Sequence, residues 1–488
     1  MNYRLIFKLI GNVLKIEALF MLFPLAVSFV YNGEDKAAFL WAILITGLAG
    51  LLLSLLKPKD KNFRPKDAFV TAGFSWLFLS LFGALPFYFS GCFGGMIDCV
   101  FESISGFTTT GSSILTNIEI LPRGILFWRS FSHWIGGMGV LVFMLAVMPS
   151  MNASSVNLLR AESTGPSPDK IVPKIRETAK IMYLIYFAMT VLLVILLRIV
   201  GLPTYDSFVN AFSTAGTGGF SIMNASIGAY NNVAAEIIIT VFMFLFGISF
   251  TLYFYLLGRN FIKFIKDSEL KFYFGIVLAA ILTITVNTSG LYGGMWEALR
   301  HSSFQVSSII STTGFSTTDF NLWPTLSQAI LMLLMVTGCC AGSTGGGMKL
   351  VRVLILLKAA KNELGKIFHP GSVRVVSVNE KKIDHGIVAK TGLFFFIYFS
   401  VLIVSTMLVS IEGKDIVSST TSVIASISNI GPGLGAVGPA GNYSAFTPFS
   451  KIILSFCMIA GRLEFFPILI LFTPSVWKKG ARKRVADT

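Results

Sequence analysis

Phe107-Thr108-Thr109-Thr110-Gly111-Ser112 is the first of four related turns in the chain. The others read Phe212-Ser213-Thr214-Ala215-Gly216-Thr217, Ile310-Ser311-Thr312-Thr313-Gly314-Phe315 and Ile427-Ser428-Asn429-Ile430-Gly431-Pro432. Aligned on glycine, they share an apolar residue, a Ser or Thr, a Thr or Asn, a variable residue and Gly. Successive glycines are separated by close to one-quarter of the 488 residues, and each turn lies between two long apolar segments. Self-similarity at a fixed period marks a repeat architecture, and it takes precedence over any single motif.

Composition states the solvent. Hydrophobic residues make up 54% of the chain and charged residues 13%, with a mean hydropathy of +0.75. An ordinary soluble domain carries about 25% charge, so the bulk of this chain belongs in lipid. Apolar runs near the ~20 residues that cross a bilayer recur throughout. They fall at 8–31, 37–56, 67–90, 122–149, 178–200, 233–257, 270–289, 323–360, 388–411 and 448–474. The expected fold is an all-α polytopic membrane protein: four span, pore helix, span repeats around one pore, plus two N-terminal spans. The expected units are 1–60 (the extra spans), 61–155, 156–262, 263–370 with a broken helix, and 371–488 with a basic tail. Most of the 39 Lys and Arg fall in alternate loops: the N-terminus, 57–66, 150–180, 259–271, 349–390 and the tail. By the positive-inside rule both termini are cytoplasmic, and the net charge of +15 reports topology and not nucleic-acid binding.

A turn at membrane depth must satisfy its own backbone or line a watery path. Four such turns around an axis offer rings of carbonyls, with Thr and Ser hydroxyls, that replace the hydration shell of a potassium-sized cation. Aiming successive carbonyls the same way requires a positive φ, which glycine adopts at least cost. The filter residues expected on this reading are Thr108, Thr109, Thr110 and Gly111; Ser213, Thr214, Ala215 and Gly216; Ser311, Thr312, Thr313 and Gly314; and Ser428, Asn429, Ile430 and Gly431. The short helices ahead of the turns begin near Asp98, Asp206, Glu297 and Asp415, where an acid complements the helix dipole.

The eighth span is interrupted by Gly338-Cys-Cys-Ala-Gly342-Ser-Thr-Gly345-Gly346-Gly347-Met-Lys349. Each glycine destabilises a helix by about 1 kcal/mol relative to alanine, so this span is expected to break, alone among the ten, into a loop beneath the pore that serves as a gate. Arg462 lies within the last span, where an ionisable group faces the interior or water. Its expected role is to raise the barrier to cations and to bond the glycine loop; Glu464, on another helix face, is a poor partner for it. Gly433-x-Gly435-x-x-Gly438 follows a turn and not a strand, so it is no dinucleotide site, and Met348 stands where a phosphate loop needs lysine. Cys92 and Cys99 are expected unpaired, and His133 to be a hydrogen-bonded packing residue. No acid pair or nucleophile–base set falls within a span, which argues against an enzyme.

Phe101-Glu-Ser-Ile-Ser-Gly-Phe-Thr-Thr-Thr-Gly111, Arg129-Ser-Phe-Ser-His-Trp-Ile-Gly-Gly-Met-Gly139, the 338–349 stretch and Gly461-Arg462 together resemble the Trk/Ktr/HKT superfamily of cation transporters. The two leading spans favour its TrkH-like branch. The resemblance covers essentially the whole chain. It implies filter glycines at 111, 216, 314 and 431, an intramembrane gating loop at 338–347 with Arg462 below the filter, and potassium as the transported ion with no organic cofactor. It also implies a homodimer in a bacterial inner membrane, resting on a cytosolic TrkA-like nucleotide-binding subunit that docks on the basic inner loops. The fourth turn departs from the pattern at Asn429, Ile430 and Pro432. A sodium-permeable or ion-coupled relative, or a secondary transporter with paired helix breaks, is the alternative.

Overall fold

The computed structural model describes residues 1–58, 64–139, 175–369, 374–379 and 381–477. Much of the basic 57–66 and 150–180 loops, residues 140–149 of the 122–149 span and the C-terminal tail therefore lie outside the described residues, as does the 155/156 unit boundary. Among the described residues the chain is helical apart from a hairpin of two residues a side, Ser377–Val378 with Lys381–Lys382. Among the described residues six helices are long and apolar enough to cross a membrane, or seven if the bent pair Val233–Phe246 and Phe250–Leu257 is one span.

The first two spans, Tyr3–Phe20 continuing into Leu22–Val30 and Lys36–Ser54, cross at Gly11 and Gly50. A Cβ on Gly11 would stand 2.8 Å from the Gly50 carbonyl oxygen, so only small residues admit this approach. Four units then follow, each an outer helix, a short pore helix, a return segment and an inner helix. The outer helices are Pro65–Gly83, Ile175–Ile199, Ser268–Thr288 and His385–Ser410. The pore helices are Met96–Phe107, Thr204–Ala215, Met295–Ile310 and Ile416–Ile427; the inner helices are Arg123–Gly137, Val233–Phe246, Thr325–Thr337 and Pro448–Arg462. Local sequence sets several starts. Asp415 accepts from the Ser418 N–H at 2.9 Å, and Thr447 precedes Pro448 at the first helical position. Glu297 accepts from Gly293 N–H, whereas Asp98 pairs with Lys451 at 2.7 Å and Asp206 accepts from the Tyr230 hydroxyl at 3.0 Å.

The inner helices depart from expectation. Not one of them but all four stop at a break: at Gly137 before Met138-Gly139, at Phe246 before a 95° bend, at Thr337 before the glycine loop, and at Arg462 before Glu464 and Phe465, both with positive φ. At two of the breaks the crowding is against a pore helix: a Cβ on Gly136 would strike the Phe107 carbonyl and one on Gly461 the Ile427 carbonyl, so the first and fourth inner helices pass close beneath the ends of their pore helices.

Candidate ion filter and gate

The four pore helices end identically. Thr110, Gly218, Thr313 and Ile430 donate their N–H groups to the carbonyls of Ser105, Ser213, Ser308 and Ala425 at 2.8–2.9 Å. The preceding residues, Thr109, Thr217, Thr312 and Asn429, bond to Gly106, Thr214, Ile309 and Ser426. This paired closure is a Schellman cap, whose left-handed position glycine normally fills. Here Thr109, Thr217 and Thr312 hold φ of 53–59° and Asn429 55°. A β-branched residue in that region is strained by about 1–2 kcal/mol. Two residues later comes a second positive φ: 80° at Gly111, 75° at Gly219, 85° at Gly314 and 95° at Gly431. Handedness thus alternates through each turn.

In the second turn this geometry lies three residues beyond the expected register. Ser213, Thr214 and Ala215 are still helical, and Gly216 has φ −69°. The equivalents of Thr108–Gly111 are Gly216, Thr217, Gly218 and Gly219. Gly218 is small because the His133 ring occupies the space a Cβ would need. His133 stacks on Phe220 at 4.2 Å and accepts from its N–H.

The turns close into a ring. A Cβ on Gly111 would strike the Gly218 carbonyl, one on Gly219 the Thr313 carbonyl, and one on Gly314 the Ile430 carbonyl; one on Gly431 would stand 2.8 Å from the Thr110 oxygen. Each turn abuts the next, and the fourth abuts the first. Gly111, Gly219, Gly314 and Gly431 line one open cavity. Asn429 joins the fourth turn to the first, donating to Thr110 Oγ1 and to the Met458 carbonyl, each at 2.9 Å. Behind the ring Arg129 and Glu102 form a buried ion pair at 2.8 Å. Arg129 also donates to the Ser221 carbonyl, and Glu102 accepts from Ser113 and from Ile114 N–H. One pair therefore ties the first pore helix to the return segments of two units; the sequence held both residues inside the motifs singled out, without indicating that they pair.

Residues 338–349 fold against the helix-side ends of the third and fourth turns. Gly346 N–H donates to Thr312 Oγ1 at 2.7 Å, a Cβ on Gly345 would lie 2.7 Å from the Ser311 oxygen, and one on Gly346 would strike the Ser428 oxygen. Gly338, Gly342 and Gly347 take positive φ of 67–72°. Arg462 reaches across: it donates to the Thr344 carbonyl at 2.7 Å and to the carbonyls of Gly136 and Gly137. Its guanidinium thus bridges the fourth, third and first inner helices at their breaks. Lys349, counted by position among the inner basic residues, is instead buried and donates to the Gly345 carbonyl. Arg352 is likewise buried and bonds Glu464 at 3.2 Å, so Glu464 serves Arg352. Glu269 accepts from the N–H groups of Ala341 and Val351, bracing both ends of the loop. Cys92 and Cys99 are free. Among the described residues no group of three His, Cys, Asp or Glu is placed to hold a metal ion.

Re-entrant helices ending in a ring of backbone turns, above a loop bridged by a buried arginine, define a membrane protein of the cation-conducting class. The family profile described as "Cation transport protein", TrkH, matches residues 35–479, and the chain belongs to that family. The chain is 35% identical over 485 residues to "Trk system potassium uptake protein TrkH" of Salmonella typhimurium, covering 98% of this chain and 100% of the relative. It is 36% identical over 487 residues to the protein of the same name from Halomonas elongata, with the same coverage. The crystal structure of the potassium transporter TrkH from Vibrio parahaemolyticus superposes with a TM-score of 0.89 at 31% identity, over 98% of this chain and 100% of that one.

Proposed function

We propose that this chain takes up potassium across a bacterial inner membrane, the ion passing through the ring of four turns within one chain. The observation that carries the reading is the closed ring, in which each turn's glycine abuts the neighbouring turn's carbonyl around a common mouth. The ligands are the backbone oxygens and hydroxyls of Thr108–Gly111, Gly216–Gly219, Ser311–Gly314 and Ser428–Gly431. Their spacing is held by packing and cannot shrink cheaply around sodium. The driving force is the membrane potential, about 2.3 kcal/mol per charge per 100 mV. Loop 338–347 is the gate. Folded in, it occupies the space beneath the third and fourth turns, while Arg462 places a fixed positive charge there. Both termini are cytoplasmic, the protein is a homodimer, and a TrkA-like subunit on the inner loops withdraws the loop. The names of the relatives, each part of a "Trk system", support a multi-component assembly.

The test is cation uptake into liposomes holding the purified protein, comparing rubidium or potassium with sodium under an imposed potential, with and without the regulatory subunit. Potential-driven potassium uptake that outruns sodium is expected. Equal rates would refute the filter, and no uptake in either condition would refute the pore.

A further inference from the structure

The ring is not four-fold equivalent at its mouth. Among the described hydrogen bonds, Gly431 is the one of the four left-handed glycines Gly111, Gly219, Gly314 and Gly431 whose carbonyl accepts from side chains: the Tyr443 hydroxyl at 2.8 Å and, more weakly, Ser112 Oγ at 3.4 Å. Tyr443 is held in place for this, with the Ser112 and Ser426 hydroxyls also beside its own. It is 2% exposed, its ring lies 5.6 Å from Phe101 and 5.5 Å from Phe446, and its N–H donates to the Ser113 carbonyl at 2.8 Å. The last bond pins residue 443 to the strand leaving the first turn, so the hydroxyl spans the seam between the first and fourth units. Gly111, Gly219 and Gly314 have no counterpart among the described residues, and Tyr443 lines the same mouth they do.

We propose that Tyr443 is a specificity-determining positioning residue: its hydroxyl restrains the Gly431 carbonyl and weakens it as a cation ligand. Two effects follow, with the same sign. A carbonyl tied to a packed phenol cannot swing inward to follow a small ion. An oxygen already donating a lone pair to O–H presents a weaker field, and weak fields favour the larger, more easily dehydrated cation. Both favour potassium over sodium. The inference rests on the filter reading above and adds that the fourth unit, whose turn carries Asn429 and Ile430 in place of Thr-Thr, is held by a donor outside the turn.

Tyr443→Phe removes one oxygen and keeps the aromatic stack. Reversal potentials in proteoliposomes under potassium–sodium gradients should show the permeability ratio falling about two- to tenfold, the range of one net hydrogen bond. Replacing Tyr443 by a ring-fluorinated tyrosine, a stronger donor of nearly the same shape, should raise the ratio; a purely structural role predicts no rise. Gly111→Ser serves as the reference for the filter itself. An unchanged ratio in both Tyr443 variants, with Gly111→Ser lowering it, overturns the role of Tyr443 and leaves the filter standing. No change in any of the three overturns both.

Discussion

Arg462→Met removes a guanidinium that donates to three carbonyls at the breaks of two other inner helices. The bond to the Thr344 carbonyl, at 2.7 Å, ties it to the glycine loop, and that bond sets how far the mutation biases the loop outward. A hydrogen bond to a charged group contributes about 1.5–3 kcal/mol, which shifts the closed-to-open equilibrium about ten- to hundredfold. The loop keeps the Gly346–Thr312 bond, the Lys349 bond and the Glu269 brace, so it should loosen and not unfold. Flux of rubidium into liposomes without the regulatory subunit should rise within that range, up to the plateau at which the loop is always withdrawn. Arg462→Lys separates the two contributions: it keeps the charge but loses the planar fork that reaches several carbonyls at once. Its flux should lie between wild type and Arg462→Met. Unchanged flux in Arg462→Met, in protein with a wild-type melting temperature, would refute the latch and return the arginine to a packing role.

Thr312→Val deletes the acceptor of Gly346 N–H at nearly constant shape and should raise the same unregulated flux about fivefold, as expected for one neutral hydrogen bond; a drop would contradict the placement of the loop. Gly219→Ser should lower potassium-over-sodium preference as Gly111→Ser does, since both added side chains strike a neighbouring turn's carbonyl; Gly216→Ser, which would meet the His133 carbonyl behind the turn, should reduce folded yield without shifting the ratio of the survivors. Arg129→Met leaves Glu102 buried and unpaired and should cost about 3–5 kcal/mol, read as a lowered thermal midpoint in detergent; replacing both partners by apolar residues should recover part of that loss.

The membrane architecture was legible because lipid imposes long apolar runs, and the repeat because each turn needs a glycine that nothing else replaces cheaply. The glycine loop was legible for the same reason, since its glycines crowd within ten residues. The second turn folds three residues beyond the expected register because Phe212-Ser-Thr-Ala-Gly216 satisfies the shared pattern better than Ala215-Gly-Thr-Gly-Gly219, which has glycine where the others carry Ser or Thr. What separates them is a bond from Gly218 back to Ser213 and the His133 ring beside it, both properties of folded space. The threonines at the left-handed caps were unreadable, because strain there is imposed by the ring and contradicts local preference. Three of the four helix breaks escaped notice, since Gly136, Gly247 and Gly461 are single or paired glycines of the kind that any tight crossing uses. Lys349 and Arg352 were read as topology charges because sequence position alone does not tell a cation in a loop from one packed beneath a filter.

Placing all four turns on one chain changes how such a pore can diverge. In a tetramer of identical subunits a substitution arrives four times over, and the conduction site is altered wholesale or left alone. Here Asn429, Gly218 and the tyrosine beside Gly431 each differ from their counterparts without touching them. On the proposed filter, ion preference can therefore drift in quarter steps, each small enough to keep a working pore, and one quadrant can be given over to gating while the others hold the ion.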